Sequence, residues 1–216
     1  MNKTLSGLVV AVLLALACHG CTVSRPTIKE SDYPGELRHP SSLGTEVLWQ
    51  QKLTARWGEG QERSFDSVLQ VRSGKQIVLG LSPMGAVGFS IQWDGTSVSF
   101  RNDSGMEMPF PPRFVLLDTH RVYMDWLGGA APANGSRHGV VGEEMISEEW
   151  KDGRLQMRRF VRQDNNPAGA IVVRYVWSDS YAKAPARAEL DNGWFGYRMI
   201  IETAGEQLLS SGASAR

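Results

Sequence analysis

The stretch IVLGLSPMGAVGFSIQWDG, residues 77–95, sets Ser82 among glycines at a turn, where a serine could act as a nucleophile. A nucleophile elbow reads Gly-x-Ser-x-Gly between a strand and a helix, with backbone N–H groups after the serine aimed at the oxyanion. Here the order is Gly80-Leu81-Ser82-Pro83-Met84-Gly85, one residue too long, and Pro83 lacks the N–H that such a site needs. The residues that follow alternate with period two, so the next element is a strand rather than a helix. Ser82 therefore reads as a bend.

The other constellations point the same way. Of the four histidines, His19 and His39 fall in a proline-containing N-terminal stretch, leaving His120 and His138. His120 sits beside Asp118, Arg121 and Asp125 on what reads as a solvated helix face. No HxxxH or CxxC spacing brings metal ligands together, and no glycine-rich phosphate loop is present, so neither metal nor cofactor is expected. Glu143, Glu144, Glu148 and Glu149 could pose as paired catalytic carboxylates, but a charged edge strand explains them better, since charge discourages edge pairing. Arg159 shares parity with Leu155, Met157 and Val161. An inward arginine could meet a headgroup or carboxylate, and a snorkelling or rim arginine fits the same pattern. The residues read as a non-catalytic chain.

Charge and the first residues narrow the setting. With 23 basic and 23 acidic side chains in 216 residues, the chain lacks the basic excess a nucleic-acid binder uses against phosphates. Lys3 precedes the apolar run Leu5–Ala17. That run fits the roughly 7–15 residues of a signal peptide and falls short of the ~20 that span a membrane. It ends in ALAC-HGC, which holds the only two cysteines, Cys18 and Cys21. Residues 1–17 thus read as a signal peptide, and residues 18–44, with Pro26, Pro34 and Pro40, as a tether reaching roughly 25–30 Å. Residues 45–203 form the domain, and residues 204–216 a small, polar, frayed tail.

Within the domain the dominant period is two. Trp49, Leu53 and Trp57 share parity in a first strand that Gln51 interrupts, and Phe65, Leu69 and Val71 follow in a second. Ile77 and Leu79 mark a third strand, Phe89, Ile91 and Trp93 a fourth, and Phe100 a short fifth. Ser73-Gly74 and Asp94-Gly95 supply the hairpin turns. Pro111-Pro112 then open a stretch with apolar residues at helical spacing, including Leu117, which predicts one helix over residues 112–126. A loop over residues 128–139 follows, and the alternation resumes with Ile171, Val173, Tyr175 and Trp177, then Phe195, Tyr197, Met199 and Ile201. About ten antiparallel strands and one helix result. A single helix of that length cannot cover so wide a sheet, so the sheet must curl on itself.

QQKLTARW, VLGLSPMGAVGFSIQWDG, the PFPPR-led helix and WFGYRMIIET resemble a family of bacterial lipoproteins of unknown function, often encoded beside aryl-polyene and fatty-acid-like biosynthetic genes. The resemblance covers most of residues 45–205, with residues 128–143 outside it. That family is similar in turn to the LolA and LolB proteins, which ferry and receive lipoproteins at the outer membrane. The resemblance implies a mainly β fold: a curved antiparallel sheet forming an open half-barrel, with the helix against its concave face. ALAC resembles a lipoprotein box, which implies acyl chains on Cys18, with Cys21 as the rival, and a periplasm-facing outer-membrane anchor. By position it also implies that Pro83 and Met84, between the third and fourth strands, touch the membrane.

The expected site is then an apolar hollow lined by the inward residues named above, binding an acyl chain or a lipidated protein. Such a protein would be monomeric, with outer-membrane lipids as its other partner and no nucleic acid. The alternative is a scaffold lipoprotein with a filled interior, and a third is an ester or thioester hydrolase.

Overall fold

The computed structural model describes residues 29–105, 108 and 110–209. The candidate signal peptide, Cys18 and Cys21 lie outside the described residues.

Eleven strands form one antiparallel sheet. They are β1 (Val47–Trp57), β2 (Gln61–Arg72), β3 (Lys75–Leu81), β4 (Val87–Trp93), β5 (Val98–Asn102), β6 (Gly135–Val141), β7 (Glu144–Lys151), β8 (Arg154–Arg162), β9 (Ile171–Val176), β10 (Arg187–Asn192) and β11 (Tyr197–Leu208). Their spatial order, β5-β4-β3-β2-β1-β11-β10-β9-β8-β7-β6, leaves β5 and β6 as unpaired edges. Two meanders meet where β1 pairs with β11, and the sheet does not close. This is the expected curved, open, mainly β architecture.

The single helix α1 (Pro112–Tyr123) is explained by that topology. The chain leaves β5 at one edge and must reach β6 at the other, and its path across the concave side is the helix. Leu116 joins a core cluster with Val47, Trp49, Leu69, Val78, Phe89 and Ile91. Phe114, Leu117 and Val122 join a second with Ile146, Leu155, Phe160, Ile171, Val173, Leu190 and Met199. The helix is therefore buried on several sides, and its polar residues with it.

Five local readings change. The helix ends at Tyr123 rather than 126, because Met124 turns extended and its N–H bonds to His120 O. Residues 135–141, expected in a loop, add the edge strand β6, which raises the strand count above ten and makes β7 an interior strand. Residues 29–44, expected in the tether, instead hold two short 3-10 turns and bury Tyr33 against Phe114 and Trp194. Strand β11 runs to Leu208, into the expected tail, by pairing with Val47. The fifth change is one of parity in β3. There Gln76, Val78 and Gly80 are buried, while Ile77 and Leu79 lie half-buried on the other face. Gly80 faces inward because the Phe89 ring lies over it: a Cβ there would sit 2.0 Å from Phe89 Cε1.

Candidate functional site

The hollow between the sheet and α1 is mostly filled, and its floor is polar. Asp118 accepts hydrogen bonds from Tyr33 OH at 2.6 Å and Tyr197 OH at 2.5 Å. Asn192 Nδ2 donates to both tyrosine oxygens, at 3.1 and 2.9 Å. Arg121 donates from Nε to Tyr33 OH at 3.1 Å and forms a two-pronged ion pair with Glu144 at 2.7 and 2.9 Å. Its guanidinium lies 4.5 Å from the Phe160 ring centre and 4.9 Å from that of Trp194. Arg121 and His120 are each 0 % exposed. His120 Nδ1 accepts from Arg38 N–H at 3.1 Å, so the ring proton sits on Nε2 and is donated to Gln76 Oε1 at 2.9 Å.

Burial also shifts these groups. Desolvation pushes the Asp118 carboxyl up to about 6, against the pull of the Tyr197 and Tyr33 hydroxyls and the Arg121 charge. Desolvation, with Arg38 and Arg121 nearby, holds His120 down to about 3, so it is neutral. Tyr33 and Tyr197 are raised well above the usual phenol value, first by burial and then by the Asp118 charge.

Above this floor, at the N-terminal end of α1, an apolar slot of about 70 Å³ opens to solvent. Leu53, Ala55, Trp57, Phe65, Val78 and Phe89 line it from β1 to β4 with Met199 of β11 beside Ala55, Phe114 and Val115 line it from α1, and Arg63 of β2 adds a cation. Met108 and Phe110 cover it, and Asp118 and Tyr197 lie at its base. The Phe110 ring rests 4.3 Å from that of Tyr197. A site for a whole lipid chain is usually several hundred cubic ångströms.

The structure brings only part of the expected lining to this slot: Leu53, Phe65, Phe89, Tyr197 and Met199, with Trp57 from the same strand. Trp49, Leu69, Val71, Ile91, Trp93, Leu117, Ile171, Val173 and Ile201 are buried packing residues. Tyr175 and Trp177, with the buried Trp49, line a separate cleft at the other end of α1. Phe195 is half-buried in the turn before β11, against Tyr33 and Phe114. Ile77 and Leu79 face outward, and Phe100 is exposed because its strand is the sheet edge with nothing beyond it.

The polar assignments change most. Asp118, His120 and Arg121 are not on a solvated face, because the concave sheet and the N-terminal segment with Tyr33, Pro34 and Arg38 enclose them. Glu144 and Glu148 are buried: Glu148 holds Arg158 at 2.7 Å, Arg137 at 2.5 Å and Trp150 Nε1 at 3.1 Å. Arg159 is exposed, and Arg158 points inward instead. A bulge at Gln156, where the β7–β8 register shifts, moves every later side chain of β8 to the opposite face. Ser82 closes the β3–β4 hairpin: its N–H donates to Ala86 O at 2.8 Å, and its hydroxyl accepts from Ala86 N at 3.2 Å. Among the described residues no three His, Cys, Asp or Glu side chains are grouped to hold a metal.

Comparison with known proteins gives a family and several likenesses in architecture. A family model described as "Protein of unknown function (DUF3261)" matches residues 48–205. No curated protein matches the chain. A LolA superfamily protein from Nitrosomonas europaea is similar over 83% of this chain and 90% of its own, at 12% identity and a TM-score of 0.46. A putative outer membrane lipoprotein-sorting protein domain from Vibrio parahaemolyticus is similar over 79% and 88%, at 10% identity and a TM-score of 0.43. A DUF1329 family protein from Desulfovibrio piger gives the same coverage and identity with a TM-score of 0.36.

Asp118 and His120 predict opposed pH dependences. With its folded value raised to about 6, Asp118 makes the native state bind the proton first, so its contribution to stability falls as pH rises from ~4 to that value. With its folded value lowered to about 3, His120 makes the unfolded state bind first. Its contribution is complete above ~6.5 and is lost as pH falls toward the folded value. Urea unfolding of Asp118→Asn and His120→Gln should show the wild type losing stability against the first variant on raising the pH, and against the second on lowering it. Stability curves parallel to wild type in both cases would refute the assignment.

Proposed function

We propose, for a chain that belongs to the DUF3261 family, a non-catalytic role at the outer membrane: engaging the acyl chain of a lipid or lipidated partner through the slot at the N-terminal end of α1. The observation that carries this reading is the slot itself, an apolar opening walled by Leu53, Trp57, Phe65, Phe89, Phe110 and Met199. Its polar base is internally satisfied: both Asp118 oxygens already accept from tyrosine hydroxyls. Apart from Arg63, the slot therefore offers mainly apolar surface, which suits a hydrocarbon, at ~0.8 kcal/mol per buried methylene.

Size sets how it works. A volume of about 70 Å³ takes only the last few carbons of a chain. A longer stretch enters by displacing Met108 and Phe110, whose contacts it replaces in kind. The same small volume favours a second reading, a scaffold with a filled interior acting through a protein interface.

The β3–β4 turn lies at the same end of the sheet as the slot, since β1 runs toward Trp57 and β3 runs the same way toward Leu81. Met84 at its tip is 89 % exposed, with Pro83, Ala86 and Val87 also exposed. A membrane touched by this turn would lie next to the mouth of the slot. Anchorage by acyl chains on Cys18 or Cys21 is supported by the apolar run before them.

Three measurements test these parts. Cis-parinaric acid should bind the wild type saturably, and Ala55→Trp, which fills the slot, should weaken binding about tenfold or more while the fold stays intact. A fatty-acid ester should be recovered uncleaved; absence of wild-type binding, or equal binding by the filled variant, leaves the scaffold reading. Met84→Asp should reduce flotation of the unlipidated chain with phospholipid vesicles, and unchanged flotation excludes the turn from membrane contact. Labelled palmitate should be lost in one of Cys18→Ser and Cys21→Ser and kept in the other; labelling of neither the wild type nor the variants rules out the anchor.

A further inference from the structure

The opposite end of the hollow, past the C-terminus of α1, holds a cleft of about 520 Å³, within the size range of ligand sites. Four half-exposed aromatic rings line it: Tyr123, Trp150, Trp177 and Tyr181. Their polar atoms are occupied. Trp177 Nε1 donates to Leu155 O at 2.6 Å, Tyr181 OH to Thr203 O at 2.9 Å and Trp150 Nε1 to Glu148 at 3.1 Å, while Tyr123 OH accepts from Gln51 at 2.6 Å. The rings are thus fixed in place and present carbon to the cleft.

One rim is built in the same manner. The Glu206 carboxylate accepts the N–H groups of Ala182, Lys183 and Ala184 at 2.6, 3.0 and 2.7 Å, and Trp49 Nε1 at 3.1 Å. This holds the loop that carries Lys183 on the edge of the cleft. Of the other cations that line it, Arg137 is engaged by Glu148 and Asp125, and Arg154 by Asp179. Lys183 has no ion pair among the described residues. Arg158 is 3 % exposed and lines the cleft. Its Nε goes to Glu148 and its Nη1 to Arg121 O, while Nη2 donates to no acceptor among the described residues. Nη2 reaches the solvent of the cleft, where an incoming anion can take the place of water in a charge-assisted hydrogen bond. Asp152 at the outer rim is the lining carboxylate that opposes it, since Asp125 is already held by Arg137.

We propose that this cleft is a second binding site, taking an anionic group, phosphate or carboxylate, carried on an apolar or aromatic body. Arg158 Nη2 and Lys183 meet the anion, and Trp177 and Tyr181 meet the body. The site stands independently of the acyl slot, from which α1 separates it.

Calorimetric titration of the purified chain with phenyl phosphate, inorganic phosphate and dodecyl phosphate tests this. Phenyl phosphate should bind saturably, about tenfold tighter than inorganic phosphate because of the ring contacts. Lys183→Glu should weaken it, and Asp152→Asn tighten it, each by about threefold. Both residues are exposed, so neither change threatens the fold. Arg158→Lys, which keeps the charge facing Glu148 but loses Nη2, should weaken it further. Ala55→Trp should leave it unchanged, which separates this site from the slot. In the Ala55→Trp variant, whose acyl slot is filled, tighter binding of dodecyl than of phenyl phosphate identifies a lipid headgroup as the source, and equal binding a soluble anion. No saturable binding of phenyl phosphate, or binding indifferent to both Lys183→Glu and Asp152→Asn, overturns the proposal.

Discussion

A charge with no route to water governs this fold. Arg121 lies on a helix enclosed by the concave sheet and the N-terminal segment, and a guanidinium taken out of water carries a desolvation cost of several kcal/mol. The protein meets it with the two-pronged Glu144 contact, the Tyr33 hydroxyl, the Pro34 carbonyl and the faces of Phe160 and Trp194. These partners come from the N-terminal segment, β7, β8 and the β10–β11 turn. One side chain thereby joins parts of the chain that are far apart in sequence. Removing either member of such a pair typically costs about 3–5 kcal/mol, because the other is left buried and unpaired.

The same constraint makes the two ends of α1 unlike. At the C-terminal end, successive carbonyls are taken by side chains: His120 O by Trp126 Nε1, Arg121 O by Arg158 and Val122 O by Tyr175 OH. The bonds to Arg121 O and Val122 O satisfy acceptors that a helix end leaves open, His120 O also accepts from Met124 N–H, and together they fix the end in angle as well as position. At the N-terminal end, Pro111 gives no side-chain cap, and Arg113 ties the first turn to the carbonyls of Tyr33 and Gly35. Around that turn Phe110, Val115 and Met108 contribute apolar contacts to the slot. The polar cleft thus has rigid walls, and the apolar slot has walls held by contacts without direction.

How much of this was legible in the sequence follows from what each residue had to signal. Clean alternation, as in Phe89-Ser90-Ile91-Gln92-Trp93, fixes both strand and face. In Ile77-Val78-Leu79-Gly80-Leu81 every residue is apolar or glycine, so no polar neighbour marks the outward side, and the parity followed the larger side chains the wrong way. A bulge leaves no compositional trace, so Arg159 looked inward where Arg158 is. The acid-rich run 143–149 looked like an edge because the strand beyond it, rich in glycine and polar residues, looked like a loop. The polar helix face misled for a deeper reason. Asp118, His120 and Arg121 show the spacing of a solvated face, and only the partners, at separations of more than twenty residues, reveal that they are buried. The side that the open sheet leaves uncovered is closed by Tyr33, Pro34 and Arg38, in a segment that reads as a tether.

That asymmetry of the helix ends bears on how a hollow so well filled could still exchange its contents. Moving the C-terminal end of α1 breaks directional hydrogen bonds to buried groups, and each orphaned acceptor costs about 1–3 kcal/mol that no hydrocarbon restores. Moving Met108 and Phe110 away from the slot uncovers apolar surface, which costs about 25 cal/mol per Å². An incoming alkyl chain covers the same surface again, so the two states differ by a small remainder. Exchange of one apolar occupant for another is cheap only where the wall makes no hydrogen bond, and in this hollow that is the mouth framed by Trp57, Phe110 and Met199.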